Sequence, residues 1–192
     1  MKKIKLGQAG KPIGLFGKFF GLIMSITNRK EIEATINLLE ITLDDKVLEI
    51  GFGPGKSFKT ISLLTTRKIY GIDHSEEMVK MASYNNNKLL FKDRLELQVA
   101  SASNLPFQNS YFNKIFSINC IYFWDEPVII LKHIKNKLTS NGIMAVTVRN
   151  SKHGLNINYN EKTLKKLFEE AGFVNISIDK TQKHIIAIGK NM

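Results

Sequence analysis

Cysteine is almost absent from the sequence, which has only Cys120 among 192 residues. One cysteine cannot form a disulfide within the chain, and the Cys and His residues nowhere show the spacing of a zinc site. The basic first residues are not followed by the uninterrupted apolar stretch and small-residue cleavage site of a secretory signal. We therefore expect a cytoplasmic protein that has no metal site.

Arginine is also scarce, although the formal net charge is +11. Of the 28 basic residues 24 are lysine, and they are spread over the whole length. A strongly positive charge raises nucleic acid or an anionic membrane as a partner. Bidentate recognition of phosphates and bases favours arginine, however. We interpret the charge as a compositional bias and expect no nucleic-acid partner.

Long hydrophobic runs are missing as well, and a membrane-spanning helix needs roughly 20 apolar residues. The most apolar segment, residues 14–26, is shorter and is interrupted by Lys18. It could lie on a membrane surface, cap an active site, or do both. We expect residues 1–27 to be an N-terminal arm or lid, with peripheral membrane contact as the alternative, ahead of one domain at residues 28–192. The length suits a single domain.

Strand-like and helix-like segments alternate along the chain. Helical periodicity and capping residues predict helices at residues 31–39, from Ser75 onward, at 125–138, and from Asn160 or Glu161 to 171. Apolar, β-branched runs predict strands at residues 46–50, 68–72, 95–100, 114–119, 143–149, 174–178 and 184–188.

This alternation predicts an α/β fold with a seven-stranded, mostly parallel sheet and helices on both faces. The link at residues 179–183 is too short for a parallel crossover, so the last two strands should pair antiparallel. In such sheets ligands bind at the carboxyl ends of the strands, near the point where the strand order reverses. The glycine-rich residues 51–55 follow the first strand and should lie there.

The segment VLEIGFGPG, residues 47–55, misses both common phosphate motifs. The dinucleotide motif needs a glycine where Lys56 stands, and the P-loop needs one at Ile50. Pro54 removes a backbone N–H, and Glu49 would repel a phosphate. A carboxylate beside a glycine turn suits a positively charged ligand instead. S-adenosylmethionine carries an ammonium and a sulfonium and has no phosphate.

Over nearly its whole length the sequence resembles the class I S-adenosylmethionine-dependent methyltransferases, which have a Rossmann-like fold. In that family the first strand ends in an acidic residue followed by G-x-G-x-G, as Glu49 and residues 51–55 do here. The resemblance implies that Asp73, at the end of the second strand, binds the ribose hydroxyls and that Met78 contacts the adenine. The implied cofactor-binding residues are Glu49, Gly51, Phe52, Gly53, Gly55, Asp73, His74, Met78, Ser101, Ala102 and Asn119.

One position departs from the family pattern, because Ser101-Ala102 stands where Asp-Ala usually precedes Leu-Pro-Phe. A hydroxyl there replaces the carboxylate that accepts from the adenine amino group, which weakens that contact. Two purely structural interpretations of the glycine turn and of Asp73 are also consistent with the sequence. The glycine turn could be a tight strand-to-helix connection that binds nothing. Asp73 could be only the carboxylate of a helix N-terminus.

The acceptor side is less defined by the sequence. Tyr122, Trp124 and His153 are candidates for lining it, although the aromatic residues are equally typical of a core. Cys120 is better explained as a buried apolar residue than as a nucleophile. The arm resembles that of small-molecule and quinone-type methyltransferases, which implies a small or lipid-like methyl acceptor. The alternatives are an RNA methyltransferase and a cofactor-binding protein without catalysis.

Overall fold

Seven strands and the helices between them make up residues 29–150 and 159–192, the part of the chain that the computed structural model describes. The strands are β1 (Val47–Ile50), β2 (Ile69–Asp73), β3 (Leu95–Val99), β4 (Phe112–Ile118), β5 (Leu138–Arg149), β6 (Val174–Lys180) and β7 (His184–Lys190). The helices are α1 (Arg29–Leu39), α2 (Phe58–Leu64), α3 (Glu76–Asn85), α4 (Asn87–Phe91), α5 (Pro127–Lys137) and α6 (Glu161–Glu170), with a 3-10 turn at Ile121–Phe123.

The strands form one sheet in the order β3-β2-β1-β4-β5-β7-β6. Strands β1 to β5 are parallel, and β7 lies antiparallel between β5 and β6. The predicted α/β fold and the antiparallel pairing of the last two strands are confirmed. The order reverses at β1, whose neighbours are β2 and β4, so the glycine turn leaves the sheet at this reversal.

Helices cover both faces of the sheet, as predicted. On one face α1, α2 and α3 contribute Ile36, Ile61 and Ala82 to the core, and on the other α5 and α6 contribute Leu131 and Phe168. All four residues of β1 are buried because both of its faces are covered. A carboxylate in this strand, Glu49, is therefore held in the interior.

Some boundaries differ from the predicted ones. β5 begins at Leu138 rather than at residue 143, because Leu138 pairs with Phe112 across a register shift and extends the strand over a polar stretch. The sequence pattern did not delimit α2 and α4, which have seven and five residues. Helices this short show too few turns for a 3.6-residue period to be recognised.

The predicted arm at residues 1–27 and the candidate His153 lie outside the described residues. Within residues 29–150 and 159–192, no helix combines the length and apolarity that crossing a membrane requires.

Candidate functional site

The glycine turn connects β1 to α2 and bends at three left-handed residues. Gly51, Gly53 and Gly55 have φ angles of 75°, 54° and 71°. The Gly51 N–H donates to the Ile72 carbonyl at 2.8 Å, and the Gly55 N–H donates to the Phe52 carbonyl at 3.0 Å. All three positions need a positive φ, which glycine adopts without the steric cost that a Cβ brings.

Packing explains two of the three glycines and leaves the middle one open. A Cβ on Gly51 would lie 2.1 Å from the Cys120 Sγ, and one on Gly55 would lie 2.8 Å from the Ala82 Cβ. A Cβ on Gly53 would meet nothing within 4 Å. Space is therefore left at Gly53, where a ligand can approach the backbone of the turn.

Asp73, the last residue of β2, joins the glycine turn to the start of α3. Its Oδ2 accepts the Gly53 N–H at 2.9 Å, and its Oδ1 accepts the Ser75 N–H at 3.0 Å. Burial raises the pKa of Asp73, while these N–H donors favour the ionised form and oppose that rise. The His74 backbone N–H also favours the ionised form. An ionised carboxylate has about four lone-pair sites, so acceptor capacity is left for a ligand hydroxyl.

Glu49 is buried below the turn, with 3% of its surface exposed. Its Oε2 accepts a short hydrogen bond from the Ser57 hydroxyl at the start of α2. Burial raises the pKa of Glu49 to about 8; the Ser57 bond lowers it, and the nearby Asp73 charge adds to the rise. The structure thus places two buried carboxylates beside one glycine turn, an arrangement that favours a cation.

Ser57 is a part of this site that the sequence pattern did not indicate. Ser57 follows Gly55 and Lys56, and these three residues match only the last three positions of the P-loop motif. Its role depends on the turn, which folds the chain back so that residue 57 meets the last but one residue of β1. No spacing rule along the sequence identifies such a contact.

The remaining predicted cofactor residues occupy different surroundings. The Phe52 ring is buried against Phe58, with centroids 5.4 Å apart, so only its backbone borders the turn. Met78 is buried near the start of α3, and its N–H donates to the Ser75 hydroxyl. His74 is exposed, with its Nδ1 3.5 Å from the Asp73 Oδ1.

The segment after β3 carries Ser101 and Ala102, which differ in exposure. Ser101 is exposed. Its hydroxyl forms a hydrogen bond with the Ser103 hydroxyl at 2.8 Å and also accepts the Ser103 N–H. Ala102 is buried. The Ser101 hydroxyl therefore closes its own turn.

A second set of residues lies at the carboxyl ends of β4 and β5. Asn119, with φ 57°, is buried and donates its N–H to the Thr147 carbonyl. The Tyr122 hydroxyl donates to the Asn119 Oδ1 at 3.2 Å and accepts the Arg149 N–H at 2.9 Å. The Tyr122 ring meets that of Tyr159 edge to face at 5.5 Å. Burial raises the pKa of Tyr122, so its hydroxyl stays protonated and holds Asn119.

Trp124 and Cys120 have mainly packing roles in this region. Trp124 is buried in the core on the α5 side of the sheet. The Cys120 thiol lies 3.4 Å from the Gly51 carbonyl and 3.3 Å from the Ile118 carbonyl. Burial raises the pKa of Cys120 to about 12, which keeps the thiol protonated and unreactive. Both observations agree with packing.

A cleft of about 350 Å³ opens between Pro54 in the glycine turn and α3. Its lining includes Lys56 and Lys59 and neither Glu49 nor Asp73. Because its charged side chains are basic, we do not assign a cationic ligand to it. The carboxylates and Gly53 define the candidate cofactor site instead.

Comparison with known proteins identifies the family. Residues 48–146, from the second residue of β1 to the middle of β5, match the model of a family described as a methyltransferase domain. The chain belongs to this methyltransferase family. It is 32% identical over 132 residues to YdaC, an uncharacterized methyltransferase of Bacillus subtilis, which covers 67% of this chain and 70% of that protein.

This methyltransferase is also similar to proteins outside Bacillus. It is 27% identical over 107 residues to the erythromycin 3''-O-methyltransferase of Saccharopolyspora erythraea, which covers 55% of this chain and 35% of that one. A solved SAM-dependent methyltransferase from Aquifex aeolicus has the same fold, with a TM-score of 0.73, 20% identity, and coverage of 89% and 97% of the two chains.

The chain is therefore a class I S-adenosylmethionine-dependent methyltransferase, and S-adenosylmethionine is its cofactor. The site fits such a cofactor in two respects. Gly53 leaves room against the backbone, and Asp73 offers acceptors for hydroxyls beside it, while Glu49 can ionise when a cation binds next to it.

Proposed function

We propose that this methyltransferase transfers the methyl group to a small or lipid-like acceptor in the cytoplasm. The observation that carries the proposal is the half-buried aromatic pair Tyr122 and Tyr159 at the carboxyl ends of β4 and β5. Aromatic rings with bonded hydroxyls present apolar surface to a neighbouring molecule. Such a surface suits an apolar acceptor better than it suits a phosphate backbone.

Cofactor binding follows from the geometry of the turn. We propose that Asp73 accepts the ribose hydroxyls, that Glu49 provides negative charge toward the cationic methionine part, and that Gly53 allows close approach. Met78, Ala102 and Ser101 would border the adenine, and Asn119 the reacting end. The remaining turn residues, Gly51, Phe52, Gly55 and His74, would surround these groups.

Methyl transfer from a sulfonium requires little chemical participation by the protein side chains. When bound, S-adenosylmethionine would supply a methyl group on a sulfonium; the electron pair of the S–CH3 bond would stay on sulfur as S-adenosylhomocysteine, and a proton of the acceptor would pass to water. The chain's own contribution is to orient the acceptor in line and to exclude water. A protein nucleophile is not required, which agrees with the protonated Cys120 thiol.

A methyl-transfer screen tests this proposal. Radiolabelled S-adenosylmethionine would be offered with quinols, phospholipids, small amines, thiols, phenols and RNA, and labelled product would be counted. We expect transfer to at least one small or lipid-like class, with little change between 50 and 200 mM salt. Transfer to RNA alone would contradict the proposal.

The two alternative functions give different results in the same screen. An RNA methyltransferase should bind RNA with an affinity that falls steeply with salt, because each neutralised phosphate releases counterions. A protein that binds the cofactor without catalysis should be stabilised by S-adenosylhomocysteine yet transfer label to nothing. NAD serves as the control ligand in the thermal measurement and should not raise the Tm.

A further inference from the structure

Five polar residues meet on the α1 side of the sheet, at the edge where β5 ends. We call them the Glu31 cluster: Glu31, Thr35, Thr147, Arg149 and His184. The Thr35 and Thr147 hydroxyls lie 2.6 Å apart, and the Glu31 Oε1 lies 3.9 Å from the Arg149 Nε. Arg149 pairs with His184 across β5 and β7, so their side chains stand side by side on this face.

Two members of the Glu31 cluster are buried with polar atoms that have no hydrogen-bond partner. Glu31 is 5% exposed and its Oε2 is unpartnered; His184 is 6% exposed and both of its ring nitrogens are unpartnered. A buried polar atom without a partner destabilises the folded state, and more so when it is charged. Native structures contain few of them, and each calls for an explanation.

Helix capping does not account for this arrangement. A carboxylate in the first turn of a helix favours the helix dipole, and Glu31 lies in the first turn of α1. That role can be filled by an exposed side chain, however. It explains neither the burial of Glu31 nor the two unpartnered nitrogens of His184 on a different element.

The position of the cluster connects it to the reacting end of the proposed site. Arg149 closes β5 and His184 opens the antiparallel β7, so both lie at the carboxyl edge of the parallel strands. The Arg149 N–H donates to the Tyr122 hydroxyl, and that hydroxyl donates to the Asn119 Oδ1. Through the Arg149 backbone, the Glu31 cluster thus contacts Tyr122, one of the two aromatic residues on which the proposed acceptor surface is based.

We propose that Glu31 and His184 form a polar subsite that binds a neutral hydroxyl group of the methyl acceptor. The unpartnered Oε2 can only accept a hydrogen bond, so its ligand must be a donor. The guanidinium of Arg149 already offsets the Glu31 charge, which disfavours a second cation such as an ammonium. The imidazole of His184 supplies a second hydrogen bond to the same hydroxyl. This inference rests on the proposed function and narrows its acceptor to alcohols and phenols.

Paired probes that differ only in the hydroxyl test the subsite. Tm would be measured with saturating S-adenosylhomocysteine and increasing phenol or anisole, and likewise 1-naphthol or 1-methoxynaphthalene. We expect the hydroxyl member of at least one pair to raise the Tm more than its methyl ether. In Glu31→Gln and His184→Phe the apparent affinity for the hydroxyl compound should drop about tenfold or more, as for a lost bond to a charged or buried group.

Thr35→Val is the matched control, one helical turn from Glu31. Its hydroxyl has a partner, so this variant should lower the Tm of the free protein and keep the preference for the hydroxyl probes. Glu31→Gln should lower the Tm of the free protein only modestly, because Oε1 loses its ion pair with the partly exposed Arg149 while Oε2 has no partner to lose. The inference is wrong if the wild type shows no preference in either pair, or if the preference survives in Glu31→Gln.

The subsite and the proposed acceptor class can fail independently in these two experiments. Methyl transfer to RNA alone would contradict the proposed function, whether or not a hydroxyl probe binds in a Glu31-dependent way. Methyl transfer to a small acceptor with no Glu31-dependent binding would support the proposed function and contradict this subsite.

Discussion

Asp73 accepts backbone N–H groups from both sides, at 2.9 Å from Gly53 and at 3.0 Å from Ser75. We expect Asp73→Ala to abolish binding of S-adenosylhomocysteine, because the ribose hydroxyls lose their acceptor. The folded state should lose about 1–3 kcal/mol, since two N–H groups lose a partner. Calorimetric titration measures the first effect and urea unfolding the second.

Asp44→Ala provides a control for this variant. Asp44 is an exposed carboxylate paired with Arg67 away from the turn. Exposed pairs contribute about 1 kcal/mol or less, so neither cofactor affinity nor stability should change much. An Asp73→Ala protein with wild-type affinity would refute the placement of the ribose.

The raised pKa of Glu49 predicts how the stability of the cofactor-free protein depends on pH. Burial raises its pKa from 4.5 to about 8 in the folded state, so the folded protein binds more protons than the unfolded chain between these values. The stabilising contribution is fully present below pH 4.5 and is lost as the pH rises through 8. We expect Glu49→Gln to be more stable than the wild type at pH 9 without cofactor, and the difference to shrink near pH 5. Thermal unfolding across this range measures it.

Cofactor binding should show the opposite trend with pH. A cationic ligand favours the ionised carboxylate, so binding releases a proton from Glu49 below pH 8. The affinity for S-adenosylmethionine should rise by up to about tenfold per pH unit between pH 6 and 8. The pH profile should flatten in Glu49→Gln. An equally steep profile in that variant would assign the titration to another group.

At the scale of one element, glycines in the β1–α2 turn serve two purposes: they adopt a positive φ, and at some positions they also avoid a steric clash. Gly53→Ala should cost about 1–2 kcal/mol, because φ is 54° but a methyl group has space. Gly51→Ala should cost clearly more, because its Cβ would also lie 2.1 Å from the Cys120 Sγ. Urea unfolding compares the two.

Cofactor affinity should distinguish the same two variants in another way. Relative to its effect on stability, Gly53→Ala should weaken S-adenosylhomocysteine binding more, because its methyl group fills the open space beside Asp73. Equal unfolding free energies for the two variants would show that Cys120 moves aside without cost.

The whole molecule offers a test of the arm at residues 1–27. We expect deletion of the arm to leave Tm nearly unchanged and to lower methyl transfer strongly, because a lid excludes water from the reaction. Circular dichroism and the transfer assay measure the two effects. Undiminished turnover would argue against a lid.

How far the sequence specifies this protein depends on the range of the interactions involved. The alternation of apolar runs and amphipathic segments determined the α/β fold, and the near misses of residues 51–55 to the phosphate motifs, with Glu49 and Asp73 at successive strand ends, pointed to a cationic cofactor. These signals are local, because strand and helix periods and turn glycines act within a few residues.

Tertiary structure alone decided the rest. It paired Ser57 with Glu49, set the Cys120 thiol against Gly51, and tied Tyr122 to Asn119 and Arg149. It also brought Glu31 and His184, which are far apart along the chain, to one edge of the sheet with unpartnered polar atoms. Burial, pKa shifts and missing partners arise from neighbours that only the folded chain brings together, and no sequence period records them.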